Sequence, residues 1–334
     1  MKSLRLGVVG AGEMAMWSIY PSLHFAPIKL EAVCDLDAKK AEIAAEKFGA
    51  QRLYTDYRKM FLERDLEAVI VQMHPSLRQK IVLDALEAGY HVFVPKPPAP
   101  SFQDCVELAQ AARANGKQLM VNFERRFSFA VRKAREIIGK STFGKLNQIS
   151  CSFCSGKYDD VRGRNYEDHI HAYLLDFALH HLDLARYLGG EVKELALFSN
   201  IMDSAGSFAV ALEFASGAVG TMQLNSQRIW WRNYDHIELT GEGEYLVLDG
   251  IWSLKHYSGE ENTFTENYSD ERSGELTGDA YSLIEFVEAI RGDREPVSSI
   301  SDCVETMRLY QSLYDAVRAG QTGVISLTSD ETSK

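Results

Sequence analysis

L-R-L-G-V-V-G-A-G-E-M-A, residues 4–15, decides the fold. An apolar run enters Gly10-x-Gly12-x-x-Ala15, and K-L-E-A-V-C-D (Lys29 to Asp35) follows as a second strand ending in an acid. This is a dinucleotide-binding fingerprint, and each position has a physical reason. Gly10 allows the tight turn from strand to helix, and Gly12 lets the backbone approach a pyrophosphate. Ala15 is small enough for the helix to lie close on the sheet, and the helix N-terminus faces the phosphates. Asp35 is placed to hold both hydroxyls of an adenosine ribose. It would repel a 2′-phosphate, and Leu36 and Asp37 offer no cation to receive one. Lys39 and Lys40 are expected on the first turns of a helix capped by Asp37. NAD is therefore expected rather than NADP.

Strand and helix patterns alternate over the first 123 residues. Glu67 to Met73 reads as a buried strand, and Leu77, Ile81, Ala85 and Ala88 recur at helical spacing up to a stop at Gly89. A strand at Tyr90 to Val94 comes next, then a helix capped by Ser101 with Asp104 three residues on, a stop at Gly116, and a strand at Gln118 to Phe123. The expected fold class is α/β, with a Rossmann doubly wound parallel sheet in residues 1–123.

After Phe123 the rhythm changes. One long helix, about Ala172 to Leu188, precedes strands at Ser207 to Phe214, Ala218 to Asn225, His236 to Thr240 and Tyr245 to Leu248. Turns at Ala215-Ser216-Gly217 and Glu242-Gly243 join them. Residues 124–334 are thus expected to form an α+β domain with a large, mostly antiparallel, open-faced sheet. Gly259 to Gly278 is acidic and poor in large apolar residues and reads as a loop. Helices at about Asp279 to Arg291 and Ser301 to Ala319 are expected to close the chain.

Bulk properties narrow the function. The chain has 334 residues, 46% of them hydrophobic, and a formal net charge of -11. An acidic surface argues against nucleic acid or an anionic membrane as partner. No apolar run approaches the roughly 20 residues that span a bilayer. The first strand begins near Leu4, leaving no room for a cleavable signal peptide, and five cysteines suit no disulfide framework. A cytoplasmic protein is expected. Cys151 and Cys154 fall three apart in a strand-like run, so they point to opposite faces and read as buried or half-buried thiols.

Two places could carry chemistry. In V-P-K-P-P (Val94 to Pro98), Lys96 is held stiffly between prolines beyond the carboxyl end of the fifth strand, where open α/β sheets bind ligands. It could stabilise charge developing on a substrate oxygen, or be a surface lysine in a proline turn. In L-L-D-F-A-L-H-H-L-D (Leu174 to Asp183), Asp176 and His180 are four apart and share a helical face. A carboxylate that orients an imidazole makes a general base; a salt-bridged structural histidine is the alternative. His169, His171, Asp176 and His180 could together ligate zinc. However, His169-x-His171 precedes the expected helix, and no glutamate base stands between ligands as in H-E-x-x-H. No metal is expected.

Together these features resemble the Gfo/Idh/MocA family of NAD(P)-dependent oxidoreductases over nearly the whole chain. The motifs are G-A-G-E-M-A at Gly10, A-L-E-A-G-Y-H-V-F-V-P-K-P (Ala85 to Pro97), V-N-F-E-R-R-F (Val121 to Phe127) and L-L-D-F-A-L-H-H-L-D-L-A-R-Y-L (Leu174 to Leu188). The stretch E-F-V-E-A-I-R-G-D-R-E-P (Glu285 to Pro296) is also family-like. The resemblance implies that Lys96, Asp176 and His180 surround the carbon exchanging hydride with the nicotinamide. Glu13, Met14, Met73 and His74 join Gly10, Gly12, Asp35 and Lys96 as cofactor-binding candidates. The departures lie at the nicotinamide end. Pro95 stands where glutamate is usual, and Ala178 and Leu179 replace a glycine and a small residue, so the catalytic helix should sit slightly farther from the cofactor or rotate. Met73-His74-Pro75 replaces T-P-N, and Arg78 replaces a histidine.

Substrate selectivity is expected from Glu124 and the polar run Lys157 to His169, with Tyr158 and Arg164 as candidates. Arg162 and Arg164 could hold a carboxylate or phosphate, or sit in a solvated loop. Trp230 and Trp231 are adjacent, so one is expected to face the cleft or core and the other an open surface. The expected activity is an NAD-dependent dehydrogenase acting on a secondary alcohol or ketone of a sugar, cyclitol or related polyol. A non-catalytic NAD-binding regulator of the same fold is the alternative. Apolar and small residues alternate along Ser207 to Phe214 and Gly217 to Leu224. One sheet face is therefore left small and mixed, which with the resemblance predicts a homodimer or homotetramer.

Overall fold

Alternating buried strands and helices build the first part of the chain. A computed structural model describes residues 3–63, 65–155, 166–203, 205–226, 234–258, 263–269 and 278–327. They fall into two units, residues 1–127 with 274–304, and residues 128–273 with 305–334.

In the first unit, Leu4–Val9 (β1), Ile28–Cys34 (β2), Arg52–Tyr54 (β3), Ala68–Val71 (β4), His91–Pro95 (β5) and Leu119–Asn122 (β6) form one sheet. Its order is β3-β2-β1-β4-β5-β6 and every pairing is parallel. That reversal at β1 is the switch point of a doubly wound sheet, as the strand and helix rhythm predicts. All four β4 residues are buried, as expected for strands covered on both faces. Asp37 caps Ala38–Phe48, its side chain accepting the Lys39 N–H. Ser101 caps Phe102–Ala114 in a reciprocal arrangement with Asp104. Of the residues at helical spacing, Ile81 and Ala85 are buried, whereas Leu77, 58% exposed, and Ala88 face outward. The core face of the helix Pro75–Glu87 is thus the one carrying Arg78, Ile81, Val82 and Ala85.

A boundary after Phe123 did not foresee a discontinuous first unit. The helix Gly278–Arg291 returns to it, burying Leu283, Phe286 and Val287 against Leu6, Val8, Phe93 and Met120. Ser298 Oγ also donates to the Val121 carbonyl at 2.6 Å.

The second unit holds Gln148–Cys154 (β7), Val192–Met202 (β8), Ala205–Phe214 (β9), Val219–Asn225 (β10), Tyr234–Thr240 (β11), Glu244–Asp249 (β12), Ser253–Ser258 (β13), Thr263–Ser269 (β14) and Gly323–Ser326 (β15). Their order is β14-β13-β12-β11-β7-β10-β9-β8-β15. Only the pairing of β7 with β10 is parallel among these described strands. Phe208, Val210, Leu212 and Phe214 are buried on one face, with Met222 and Leu224 beside them, and Ala209, Ala211, Thr221 and Gln223 are exposed on the other. Cys151 is buried and Cys154 half-buried, both as thiols.

Two expectations are corrected here. The loop expected at Gly259 to Gly278 contains β14, whose backbone pairs antiparallel with β13 at the sheet edge. T-F-T-E-N-Y carries strand-forming residues that its acidic surroundings mask, and an edge strand needs little apolar content. His169-x-His171 does not precede the helix but forms its first turn, because Asp168 is the cap and accepts the N–H groups of Ile170 and His171. Among the described residues no helix is long and apolar enough to cross a membrane.

Candidate active site

The dinucleotide loop is shaped by contacts that reach across the first sheet. Gly10 has φ +106°, and a Cβ there would lie 2.3 Å from the Gln72 carbonyl oxygen, so only glycine fits. Asp35, just past β2, accepts the Ala11 N–H at 2.8 Å through one oxygen and the Asp37 N–H at 2.9 Å through the other. Each carboxylate oxygen keeps a further lone pair for a ribose hydroxyl. A Cβ added to Gly12 would meet nothing within 4 Å, so the space over the loop is open to a pyrophosphate. Helix begins at residue 13, placing its unpaired N–H groups there, and runs through a π-wound stretch at Ala15–Ile19. Glu13 and Met14 are exposed at this helix start, and Ala15 is buried against the sheet as its size requires. Lys39 and Lys40 are exposed in the first turn of the next helix, as expected. These residues fit a dinucleotide.

Beyond β4, Met73 and His74 are both half-buried. His74 is the residue before the helix Pro75–Glu87, and its ring lies 2.9 Å from the Ser76 hydroxyl. Arg78, only 1% exposed, donates to the Met73 carbonyl at 2.8 Å. The arginine thus holds the backbone that links β4 to this helix.

Lys96 follows β5 and is half-buried, with a cis peptide to Pro97. In the β5–β6 register Pro95 faces Asn122, so Lys96 and the turn Glu124–Phe127 leave the same end of the sheet. Burial and the charge of Asp279 push the Glu124 carboxyl up to about 7, while Arg125 and Lys96 pull it the other way. Asp279 is also raised by burial, against a 2.6 Å hydrogen bond from Asn122. Nothing local in the sequence signals Asp279, which lies 157 residues from Asn122.

In the second unit, Asp176 lies in a π-wound stretch, Tyr173–Ala178, and His180 in the α-helix Leu179–Gly189 that continues it. The winding changes from π to α at Ala178. Four residues span close to one turn in either winding, so Asp176 and His180 remain on one side. His180 is 7% exposed and Asp176 half-buried. Asp183 is buried and accepts from Thr306 Oγ1 at 3.2 Å, a structural contact. His181, fully buried, stacks on Phe153 at 4.1 Å and pairs with Asp235 at 2.5 Å. That pair was not anticipated; H-H in a helix says only that two rings point different ways.

The zinc alternative finds no support in the rings it would need. His171 Nδ1 accepts the Glu167 N–H at 3.0 Å and His169 Nε2 lies 3.1 Å from the Met202 carbonyl. Among the described residues no three His, Cys, Asp or Glu side chains gather as a metal site. Tyr158, Arg162, Arg164, Trp230 and Trp231 lie outside the described residues. Lys96 and Glu124 belong to the first unit, Asp176 and His180 to the second.

Residues 4–123 match an oxidoreductase family described by its NAD-binding Rossmann fold, and residues 131–247 match the GFO/IDH/MocA C-terminal domain. The chain belongs to the Gfo/Idh/MocA family. Its first unit is the family's NAD-binding domain and its second carries the family's C-terminal sheet. Myo-inositol 2-dehydrogenase of Thermotoga maritima is 26% identical over 74% of this chain and 76% of its own. Among solved structures, a dehydrogenase from Chromobacterium violaceum is similar with a TM-score of 0.87 at 22% identity, covering 96% of this chain and 97% of that one. Levoglucosan dehydrogenase in complex with NADH and levoglucosan is similar with a TM-score of 0.85 at 18% identity, covering 98% and 100%. These two likenesses concern the fold.

Proposed function

We propose that this family member is an NAD-dependent dehydrogenase that interconverts a secondary alcohol and a ketone on a sugar, cyclitol or related polyol. The observation that carries the reading is the D-x-x-x-H spacing, which puts half-buried Asp176 and nearly buried His180 on one side of their helix; the sequence also retains Lys96 just beyond β5. Relatives that act on inositol and levoglucosan support the substrate class.

Bound NAD would supply the hydride acceptor; the residues of this chain do the rest. Gly10, Gly12 and the helix start beyond them, with Glu13 and Met14, would receive the pyrophosphate, and Asp35 the adenosine ribose. Met73 and His74 would flank the nicotinamide end. Asp176 orients the His180 ring, and His180 takes the hydroxyl proton. Lys96 donates to the substrate oxygen, stabilises the negative charge that develops on it and relays the proton. Glu124, Tyr158 and Arg164 are the substrate-facing candidates. A second copy would pack on the exposed face of the second sheet, giving a homodimer or homotetramer.

Pro95, in place of the family's usual glutamate, and the helix crowded by Ala178 and Leu179 are the features favouring a non-catalytic NAD-binding regulator. Absorbance at 340 nm across a panel of polyols, aldonates and aminosugars separates the two. Turnover of at least one compound is expected; NAD binding with no turnover of any would uphold the regulator.

A further inference from the structure

We infer that Glu124, paired with Asp279, is the proton acceptor that serves Lys96. The inference rests on the proposed reaction and adds a group to it.

The geometry comes from three elements of the first unit. The register of β5 on β6 sets Pro95 opposite Asn122, which brings the next residues of both strands, Lys96 and the Phe123-Glu124 corner, out at one end. The helix Gly278–Arg291 then begins against that corner. A Cβ on Gly278 would lie 1.9 Å from the Glu124 carbonyl oxygen, so glycine alone lets the helix start so close. Asp279 follows at once and is held by the Asn122 amide at 2.6 Å. Glu124, its side chain 27% exposed, thus feels the charges of both Asp279 and Lys96 at this corner.

The electrostatics distinguish this corner from an ordinary ion pair. A carboxylate kept for a structural salt bridge is held well below its usual range. Glu124 goes the other way, up to about 7, because burial and the Asp279 charge outweigh Arg125, 3.9 Å away, and Lys96. Two neighbouring carboxyl groups that hold one proton between them titrate as a pair. Near neutral pH Glu124 is therefore poised both to take and to give a proton, the condition for efficient general acid–base transfer.

The step balances. In the oxidising direction the substrate C–H electron pair leaves as hydride and its O–H proton must leave too. His180 takes that proton as in the proposed reaction. Lys96 gives one ammonium proton to Glu124, an N–H bond breaking as an O–H bond forms, and regains one proton, that of the substrate hydroxyl, by way of His180. Glu124 then loses its proton to water, and reduction runs the sequence backwards.

A difference titration of the parent protein against Glu124→Gln, without cofactor, reads Glu124 directly. We expect one proton released with a midpoint near 7, lowered by about one pH unit or more in Asp279→Asn and raised in Lys96→Met. On a polyol substrate, Glu124→Gln should lower kcat roughly tenfold or more with little change in KM, and Glu124→Asp should recover part of it. A midpoint in the ordinary carboxylate range, a midpoint indifferent to Lys96→Met, or undiminished kcat in Glu124→Gln overturns the inference. Should no polyol turn over in any variant, the proposed reaction fails, and the titration alone upholds or overturns the coupling.

Discussion

The Asp35 carboxylate accepts the Ala11 backbone N–H at 2.8 Å, tying the end of β2 to the dinucleotide loop. One side chain therefore has two duties: it shapes the turn between Gly10 and Gly12, and it presents negative charge where a ribose would lie. Such bracing holds the loop in a binding shape beforehand, which lowers the ordering cost of taking up a ligand.

Asp35→Ala should separate those duties from Asp35→Asn. The parent should bind NAD(H) at least about tenfold more tightly than NADP(H), a difference of roughly 1.4 kcal/mol. Alanine should erode that preference and weaken both cofactors, since the Ala11 N–H loses its acceptor. Asparagine keeps an acceptor for Ala11 but turns its NH2 group to the Asp37 N–H, so it should weaken both cofactors less than alanine does while still altering the preference. Equal affinities of the parent for the two cofactors in a fluorescence titration would refute the assignment.

Lys96→Ala and His180→Ala should each reduce turnover by about two orders of magnitude or more, the scale of general acid–base groups. NADH binding should largely survive both changes. A chelator should leave turnover unaltered; loss that zinc restores would return the histidines to a metal role.

Glu124 should leave a mark on stability as well as on catalysis. A carboxyl raised to about 7 in the folded protein, against about 4.3 unfolded, stabilises the fold fully below about pH 4 and loses that contribution as pH rises through 7. Glu124→Gln removes the loss. It should melt above the parent at pH 8, by an amount on the order of 1–3 kcal/mol, and the advantage should vanish near pH 4. Thermal melts showing the same difference at both pH values would contradict this.

His91 should have the opposite pH dependence. Burial comes first among the causes that lower its pKa to about 4, and its ring accepts the Gln118 N–H at 3.0 Å. Its contribution is present above about 6.5, the unfolded value, and is lost as pH falls through 4. Parent stability should therefore drop over that window, and His91→Gln should flatten the drop in denaturant titrations.

Assembly is tested on the exposed sheet face. Ala196, Ala211, Thr221 and Ser150 form one cross-strand row on it, and Phe198, Ala209, Gln223 and Ser152 the next. Small side chains with one exposed phenylalanine suit close packing of a second copy. Light scattering should give at least twice 37.5 kDa, and Ala211→Arg should bring the mass back to one chain. A parent mass near 37.5 kDa at micromolar concentration would refute the assembly.

The first sheet was legible because its signals are local. An apolar run, two glycines at fixed spacing and an acid at the end of the next strand specify backbone shapes within a few residues of themselves. The caps Asp37 and Ser101 and the alternation along β9 and β10 are of the same kind. Asp168 shows how easily such a signal is passed over: its cap at the head of the helix moved His169 and His171 into the first turn. Other features depend on residues that meet only after folding. The helix Gly278–Arg291 joins the first unit because its apolar side chains complete a core started by β1, and no local pattern says which core it will fill. The 2.6 Å bond from Asn122 to Asp279 and the burial of His181 against Phe153 and Asp235 arise in the same way. Sequence by itself determined the strand and helix order, the dinucleotide loop and the chemically able residues, since these follow from periodicity and backbone sterics. Tertiary structure alone decided which charges act on Glu124, because burial and charge proximity are properties of the folded chain.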